Sequence, residues 1–334
     1  MNLPYNNKRN ILIVGGAGYI GGAVTDLLKK QDFYNIIVYD LLIYENCYFK
    51  DLPFVYGDIR DHNKLRKYIE WADTIIWLAA IVGDGACSLN PELSRNINFK
   101  SLKWLCDTLK DYDDESKKVI FMSTCSVYGA QDGILHENST IKPLSVYGVT
   151  KYNAEQYLHQ HWRNNLIFRL GTVFGVGDCF SRIRLDLVVN ILTMKAAIEN
   201  KLTVFGGDQF RPLIHVKDVA RAIVDNIKNK DTGIFNICSQ NVRIIDLAYQ
   251  VRNHFPDCEL EITKMEFEDS RNYRVSSNKA SEILLFNNKY SIDDGILQIK
   301  KIIDEKRVVD LSDKRYSNHS FLQTKIDSVN SITE

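Results

Sequence analysis

The chain has 334 residues, 45% of them hydrophobic and 25% charged, proportions that allow an ordinary globular protein to bury a sizeable core. Lysine plus arginine and aspartate plus glutamate both number 42, so the formal charge is zero and no net basic field exists to hold nucleic acid or an anionic membrane. The apolar stretches, such as 74–82, fall far short of a bilayer span, and the Asn-rich start at 1–10 lacks the apolar core of a signal peptide; a cytoplasmic location is therefore expected.

In chain order, the β-rich apolar run 11–14 predicts a first strand, and apolar residues at helical spacing over 19–31 predict a helix after the intervening glycines. Further strands are predicted at 35–39, 54–56, 74–78, 119–122 and 166–170, with helical period over 62–70 and 98–111. Strands alternating with helices in this way predict an α/β fold built on a doubly wound parallel sheet. Beyond Gly171 the pattern loosens into helices near 185–199, 216–228 and 243–254 and short strands near 202–205 and 233–238. Residues 1–170 therefore read as a dinucleotide-binding Rossmann domain, and 171–334 mainly as a smaller substrate-binding region, some of whose segments return to the first. The polar, Ser-rich tail from Val308 is given no chemistry. Seven scattered cysteines without a Cys-x-x-Cys spacing suggest neither disulfides nor zinc, and His159 and His161 would point to different helix faces; no metal is expected.

Gly15, Gly18 and Gly21 follow the first strand directly and open the first helix. In that context Gly15 permits a tight turn, Gly18 lets backbone amides approach a pyrophosphate, and Gly21 lets helix and strand pack closely. Asp40 closes the second strand 19 residues after Gly21, where a carboxylate accepts bonds from ribose hydroxyls and repels a 2′-phosphate, so NAD is expected over NADP. Asp58, after the third strand, is placed to reach the adenine.

Tyr147 and Lys151 are four apart at the start of a predicted helix, so both side chains share one face. A neighbouring ammonium favours phenolate, which makes the pair a candidate proton acceptor for a hydroxyl. The strand before them runs into the hydroxyl residues Ser123, Thr124 and Ser126, where a doubly wound sheet places its ligand crevice.

Taken with Leu78-Ala79-Ala80, Asn98, the run 169–175 and the run 211–218, these motifs make the sequence similar to the extended short-chain dehydrogenase/reductase family, the branch holding nucleotide-sugar epimerases and dehydratases. The resemblance covers nearly the whole chain. It implies that Tyr147 is the catalytic base, that Lys151 lowers its pKa and binds the nicotinamide ribose, and that Thr124 bonds the reacting hydroxyl. It places the cofactor on the turn with Tyr19 and Ile20, on Asp58 with Ile59, on Leu78, Ala79 and Ala80, and on Asn98. Arg211 falls where the family has an arginine for the substrate diphosphate; Thr172, in a position that is Asn in many members, and Arg271 are the further expected substrate ligands. Family members commonly dimerise through the helices represented here by 98–111 and 147–162, so a homodimer is implied.

The sequence departs from the family's 4,6-dehydratases, which carry an Asp-Glu pair just after the hydroxyl residue; here Cys125 and Ser126 stand instead, and two such groups cannot shuttle protons as carboxyls do. The resemblance then implies an NAD-dependent enzyme that takes hydride from a nucleotide sugar, at C4, foremost as a 4-epimerase. The unusual segment 80–87 and Thr172 keep open a net 4-dehydrogenase, for example on a GDP-heptose. A sensor or scaffold that binds NAD without turnover is the alternative of another class; such proteins usually lose the Tyr and Lys pair, which this one keeps.

Overall fold

The computed structural model describes residues 8–112, 116–263 and 272–331. Its centre is a parallel sheet whose strands lie in the order Gly233–Ile237, Asn165–Leu170, Lys118–Thr124, Thr74–Trp77, Arg9–Val14, Tyr34–Asp40, Phe54–Tyr56. Alternate residues of the first strand serve opposite faces, as the two-residue period of a strand requires. Leu12 and Val14 join Ile37, Trp77 and Phe121 beneath helices His62–Trp71, Ser101–Lys110 and Val146–His161. Ile11 and Ile13 join Ile36, Ile76 and Ile120 beneath helices Tyr19–Lys29 and Val216–Asp225. Burial on both faces is why these strands read as continuous apolar runs.

The division at residue 170 is not a clean cut. Strand Gly233–Ile237 is the edge of the main sheet beside Asn165–Leu170, and helix Val216–Asp225 packs on helix Tyr19–Lys29. The remaining second part is built from strands Thr172–Phe174, Phe210–His215 and Gln240–Arg243, the pair Lys201–Phe205 with Glu259–Thr263, and helices Val188–Glu199, Ile244–Asn253 and Ile292–Asp304. Phe174, Val189, Leu213, Leu247 and Ile296 form its core.

The tail differs most from expectation. A 3-10 turn, Lys314–Tyr316, leads into a helix, Asn318–Ser331, that returns to the first part of the chain. Leu322 and Val329 are buried there, Ile326 packs beside them, and Phe321 meets Tyr44 with ring centroids 5.3 Å apart. The predicted helix 98–111 also begins earlier. Asn90 caps a turn over Pro91–Arg95, its side chain accepting from Leu93 N, and a π-turn at Asn96–Lys100 joins it to Ser101–Lys110. Among the described residues no helix is long and apolar enough to cross a membrane, and no group of three or more His, Cys, Asp or Glu could hold a metal ion.

Candidate active site

A cleft of about 700 Å³ lies at the carboxyl ends of the strands, walled on one side by the glycine turn and on the other by the second part of the chain. Gly15 has φ +85°, and a Cβ there would lie 2.4 Å from Ala79 N, so only glycine lets the turn pass against the strand end at Leu78 and Ala79. A Cβ on Gly21 would lie 2.5 Å from Gly15 O, which is how closely the helix seats on the turn. Gly18 is the N-cap of helix Tyr19–Lys29, so the helix's unpaired amides and positive dipole end face the cleft. The fourth wall residue of the turn, Ile20, is partly buried, whereas the Tyr19 hydroxyl donates to Gly175 O at 2.7 Å and ties the turn to the second part.

Asp40 lines the cleft at the end of its strand; Oδ2 accepts from Ala17 N at 3.0 Å and Oδ1 from Leu42 N at 2.8 Å. Burial raises its pKa, opposed by those amide bonds. Asp58 and Ile59 reach the same cleft, but the Asp58 carboxylate is already held by Arg60, with Nη2 to Oδ2 at 2.6 Å and Nε to Oδ1 at 3.0 Å. Arg60 in turn donates to Val329 O of the terminal helix.

Asn98 is not in the wall where the family resemblance put it. It is 1% exposed, its Oδ1 accepting from Ile81 N at 2.8 Å and its Nδ2 donating to Ile81 O at 2.9 Å and Thr150 Oγ1 at 3.3 Å. It therefore clamps the chain that follows the cleft-lining Ala80 to the helix bearing Tyr147, and acts from behind. Its position on the π-turn allows this, since a π-turn re-aims a side chain within a continuous helix.

Thr124, Tyr147 and Lys151 come together at the cleft floor. Ser145 caps the helix Val146–His161, its hydroxyl accepting from Gly148 N and donating to Asp84 Oδ1 at 2.7 Å, which fixes the first turn and hence Tyr147. Thr124 Oγ1 accepts from Ser126 N at 3.1 Å and lines the same cleft as the Tyr147 side chain. Burial pushes the Tyr147 phenol up, reinforced by the neighbouring Cys87 and Asp84 and opposed by the Thr124 hydroxyl. Lys151 lies over the Phe121 ring, Nζ 4.1 Å from its centroid, and burial brings it down to about 7, with Cys87 and Glu155 pulling the other way. The expected help from ammonium to phenolate thus meets an opposing force, because a buried lysine is itself driven towards its neutral form.

Cys125 is buried away from the cleft, its thiol donating to Arg169 O, whereas Ser126 lines it. Of the carboxylates that line the cleft, Asp84 is bonded by Ser145 and Asp186 is gripped by Arg184 through two contacts of 2.9 and 3.0 Å. Glu137 accepts from Asn236 N and is not among the residues of this wall.

Thr172 and Arg211 both line the cleft; Thr172 pairs with Leu213 in the small sheet, and Arg211 is 6% exposed with Nη1 donating to Phe210 O. Arg271 lies outside the described residues. The structure adds wall residues that local pattern did not single out: Lys195, Arg182, Arg184 and Asp186 from the second part, and Ser317, Asn318 and His319 from the tail.

A doubly wound sheet with a glycine turn, an acid closing the second strand, and Thr, Tyr and Lys converging beside them defines a dinucleotide-dependent oxidoreductase of the Rossmann type. The chain belongs to the NAD dependent epimerase/dehydratase family, which matches residues 11–238. It is 27% identical over 308 residues to a UDP-glucose 4-epimerase of Halalkalibacterium halodurans, covering 84% of this chain and 91% of that one. Among solved structures it resembles the UDP-glucose 4-epimerase of Thermotoga maritima, determined with UDP-glucose, at a TM-score of 0.78 and 25% identity over 89% of this chain and 99% of that one. The UDP-glucuronic acid 4-epimerase of Bacillus cereus, determined with its sugar nucleotide and NAD, gives a TM-score of 0.76 and 25% identity over the same shares. The protein is an NAD-dependent enzyme of nucleotide-sugar chemistry.

Proposed function

We propose that the protein is a nucleotide-sugar 4-epimerase in which Tyr147 accepts the proton of the C4 hydroxyl. The observation that carries this reading is the convergence of Thr124, Tyr147 and Lys151 on one cleft, with Lys151 one turn beyond Tyr147 on the same helix and no carboxyl pair after Thr124. Bound NAD supplies the oxidant, accepting hydride from the sugar carbon. Thr124 orients the hydroxyl, Tyr147 Oη takes its proton, and Lys151 stabilises the charge left on the phenol oxygen. Arg211 and Thr172 hold the nucleotide sugar from the opposite wall. Gly83, Gly85 and Ala86, also in the wall, leave room for a keto sugar to turn before hydride returns to its other face. The same helices, Ser101–Lys110 and Val146–His161, pack side by side and are the surface we assign to a homodimer, which light scattering of the purified protein would report as twice the chain mass.

The test is incubation with UDP-, GDP-, CDP- and dTDP-sugars, a GDP-heptose included, in deuterated water, followed by NMR and by absorbance at the NADH band. An isomer of unchanged mass, without deuterium at C4 and without accumulated NADH, is expected. A product lighter by two hydrogens, or enzyme trapped as NADH until an oxidant is added, would replace the epimerase with a 4-dehydrogenase. A product lighter by water would assign the dehydratase outcome despite the missing carboxyls.

A further inference from the structure

Arg182 is a buried cation in the wall of the cleft. It is 6% exposed, and among the described residues no carboxylate forms an ion pair with it. Its neighbour Arg184 engages both oxygens of Asp186. Arg182 Nη2 donates to Asn318 Oδ1 at 2.8 Å and to Arg315 O at 3.1 Å, its Cζ lies 3.6 Å over the Tyr44 ring, and its buried Nε has no partner among the described residues. A buried charge held by neutral acceptors, with one donor unspent, is costly until an anion completes it.

The place of the guanidinium says which anion. Arg182 lies in the wall of the cofactor cleft, within electrostatic range of both Asp40 and Tyr19, the residues that bracket the glycine turn. An anion seated on the amides at Gly18 would therefore meet the N-terminus of helix Tyr19–Lys29 on one side and Arg182 on the other. What keeps the guanidinium there is the tail: Asn318 accepts from Arg182, donates through Nδ2 to Val82 O at 2.9 Å, and through its backbone amide to Asp186 Oδ2 at 2.8 Å. One asparagine thus joins the arginine, the segment after the cleft-lining Ala80 and the Arg184–Asp186 pair.

We propose that Arg182 clamps the diphosphate of the dinucleotide from the side opposite the glycine turn, and that residues 315–318 strap it in place, so that the C-terminal segment sets how long the cofactor stays bound. This rests on NAD occupying the glycine turn, and it is independent of which sugar is bound and of whether the sugar is epimerised.

The experiment compares wild type with Arg182→Gln and Asn318→Ala in the full-length chain, freed of cofactor. Calorimetry with NAD, NADP, ADP, adenosine, UDP and GDP gives affinities, and displacement of bound NAD gives its dissociation rate. Arg182→Gln should weaken NAD and ADP by roughly tenfold or more, the loss of a charge-assisted contact, while adenosine, which has no phosphate, changes less than about twofold. Asn318→Ala should speed NAD dissociation by roughly threefold to tenfold. The cofactor-dependent rise in melting temperature should shrink in both variants, a readout that a merely structural arginine would leave intact. Unchanged NAD affinity in Arg182→Gln overturns the clamp. A loss confined to UDP and GDP would assign the arginine to the sugar nucleotide instead, and one confined to NADP would assign it to a 2′-phosphate; either overturns the proposal. Should Arg182→Gln fail to fold, the dissociation rate of Asn318→Ala decides alone, and a wild-type rate overturns the strap and with it the proposal.

Discussion

Tyr147 and Thr124 meet although 23 residues separate them, because the strand Lys118–Thr124 ends where the helix Val146–His161 begins, and Ser145 fixes that helix's first turn. The phenol ring is packed and nearly buried, so replacing it by phenylalanine keeps the packing and removes only the hydroxyl. Tyr147→Phe should lower turnover by roughly 10²–10⁴-fold, the usual contribution of a positioned general base, while NAD affinity measured by calorimetry stays near that of wild type. Near-normal turnover in this variant would end the assignment of Tyr147 as base. Thr124 Oγ1 accepts from Ser126 N in either protein, so the floor of the cleft should keep its shape.

At the scale of the strand, turn and helix that open the chain, the two later glycines separate packing from binding. A methyl group at Gly21 would lie 2.5 Å from Gly15 O and 2.6 Å from Gly16 Cα, backbone atoms that cannot swing aside, so Gly21→Ala should destabilise by roughly 1–3 kcal/mol through overpacking. The nearest atom to a methyl at Gly18 is Gly15 O at 3.3 Å, which a slight shift relieves, so Gly18→Ala should melt close to wild type and lose NAD affinity instead. Thermal melts of cofactor-free protein and calorimetry distinguish the pair; equal loss of stability in both would mean that Gly18 is a packing glycine as well. Such turns are legible in a sequence because strand, glycines and helix follow each other locally, and the buried parallel strands are legible because both of their faces are apolar. The terminal helix was not, because Phe321, Leu322, Ile326 and Val329 are four apolar positions in a polar stretch and find their partners more than 200 residues away in the chain. Asn98 was legible as a residue of the site but not in its direction, since the π-turn turns it towards Ile81. Arg182 carries no local pattern at all; only the tertiary fold sets it against Asp40, Tyr44 and Asn318.

The whole molecule closes two parts of the chain over one cleft, and that closure leaves Lys151 3% exposed at its floor. Among the described residues no carboxylate is bonded to it: Glu155, one turn on, is taken by Arg169 and Ser123. Burial accordingly brings Lys151 from 10.5 to about 7 in the folded protein. In the unfolded chain the same lysine keeps its ordinary value, so between about pH 7 and 10.5 the unfolded state binds a proton that the folded state does not, and stability rises with pH across that window. The penalty is present in full below about pH 7, where both states are protonated and the folded one holds a buried charge. Lys151→Met fills the space without the charge, so the cofactor-free variant should be more stable than wild type at pH 6, and its advantage should fall by up to about 1.4 kcal/mol per pH unit as pH rises from 7 to 9. Buried thiols such as Cys87, pushed up to about 12, act in the opposite direction above pH 9, but they are shared by both proteins and largely cancel in the difference. Denaturant titrations of the two proteins at pH 6, 7, 8 and 9 measure it directly. A difference that does not change with pH would show that Lys151 stays charged in the folded state at all these values, and the site would then hold a permanent ammonium beside Tyr147, the arrangement that favours phenolate most.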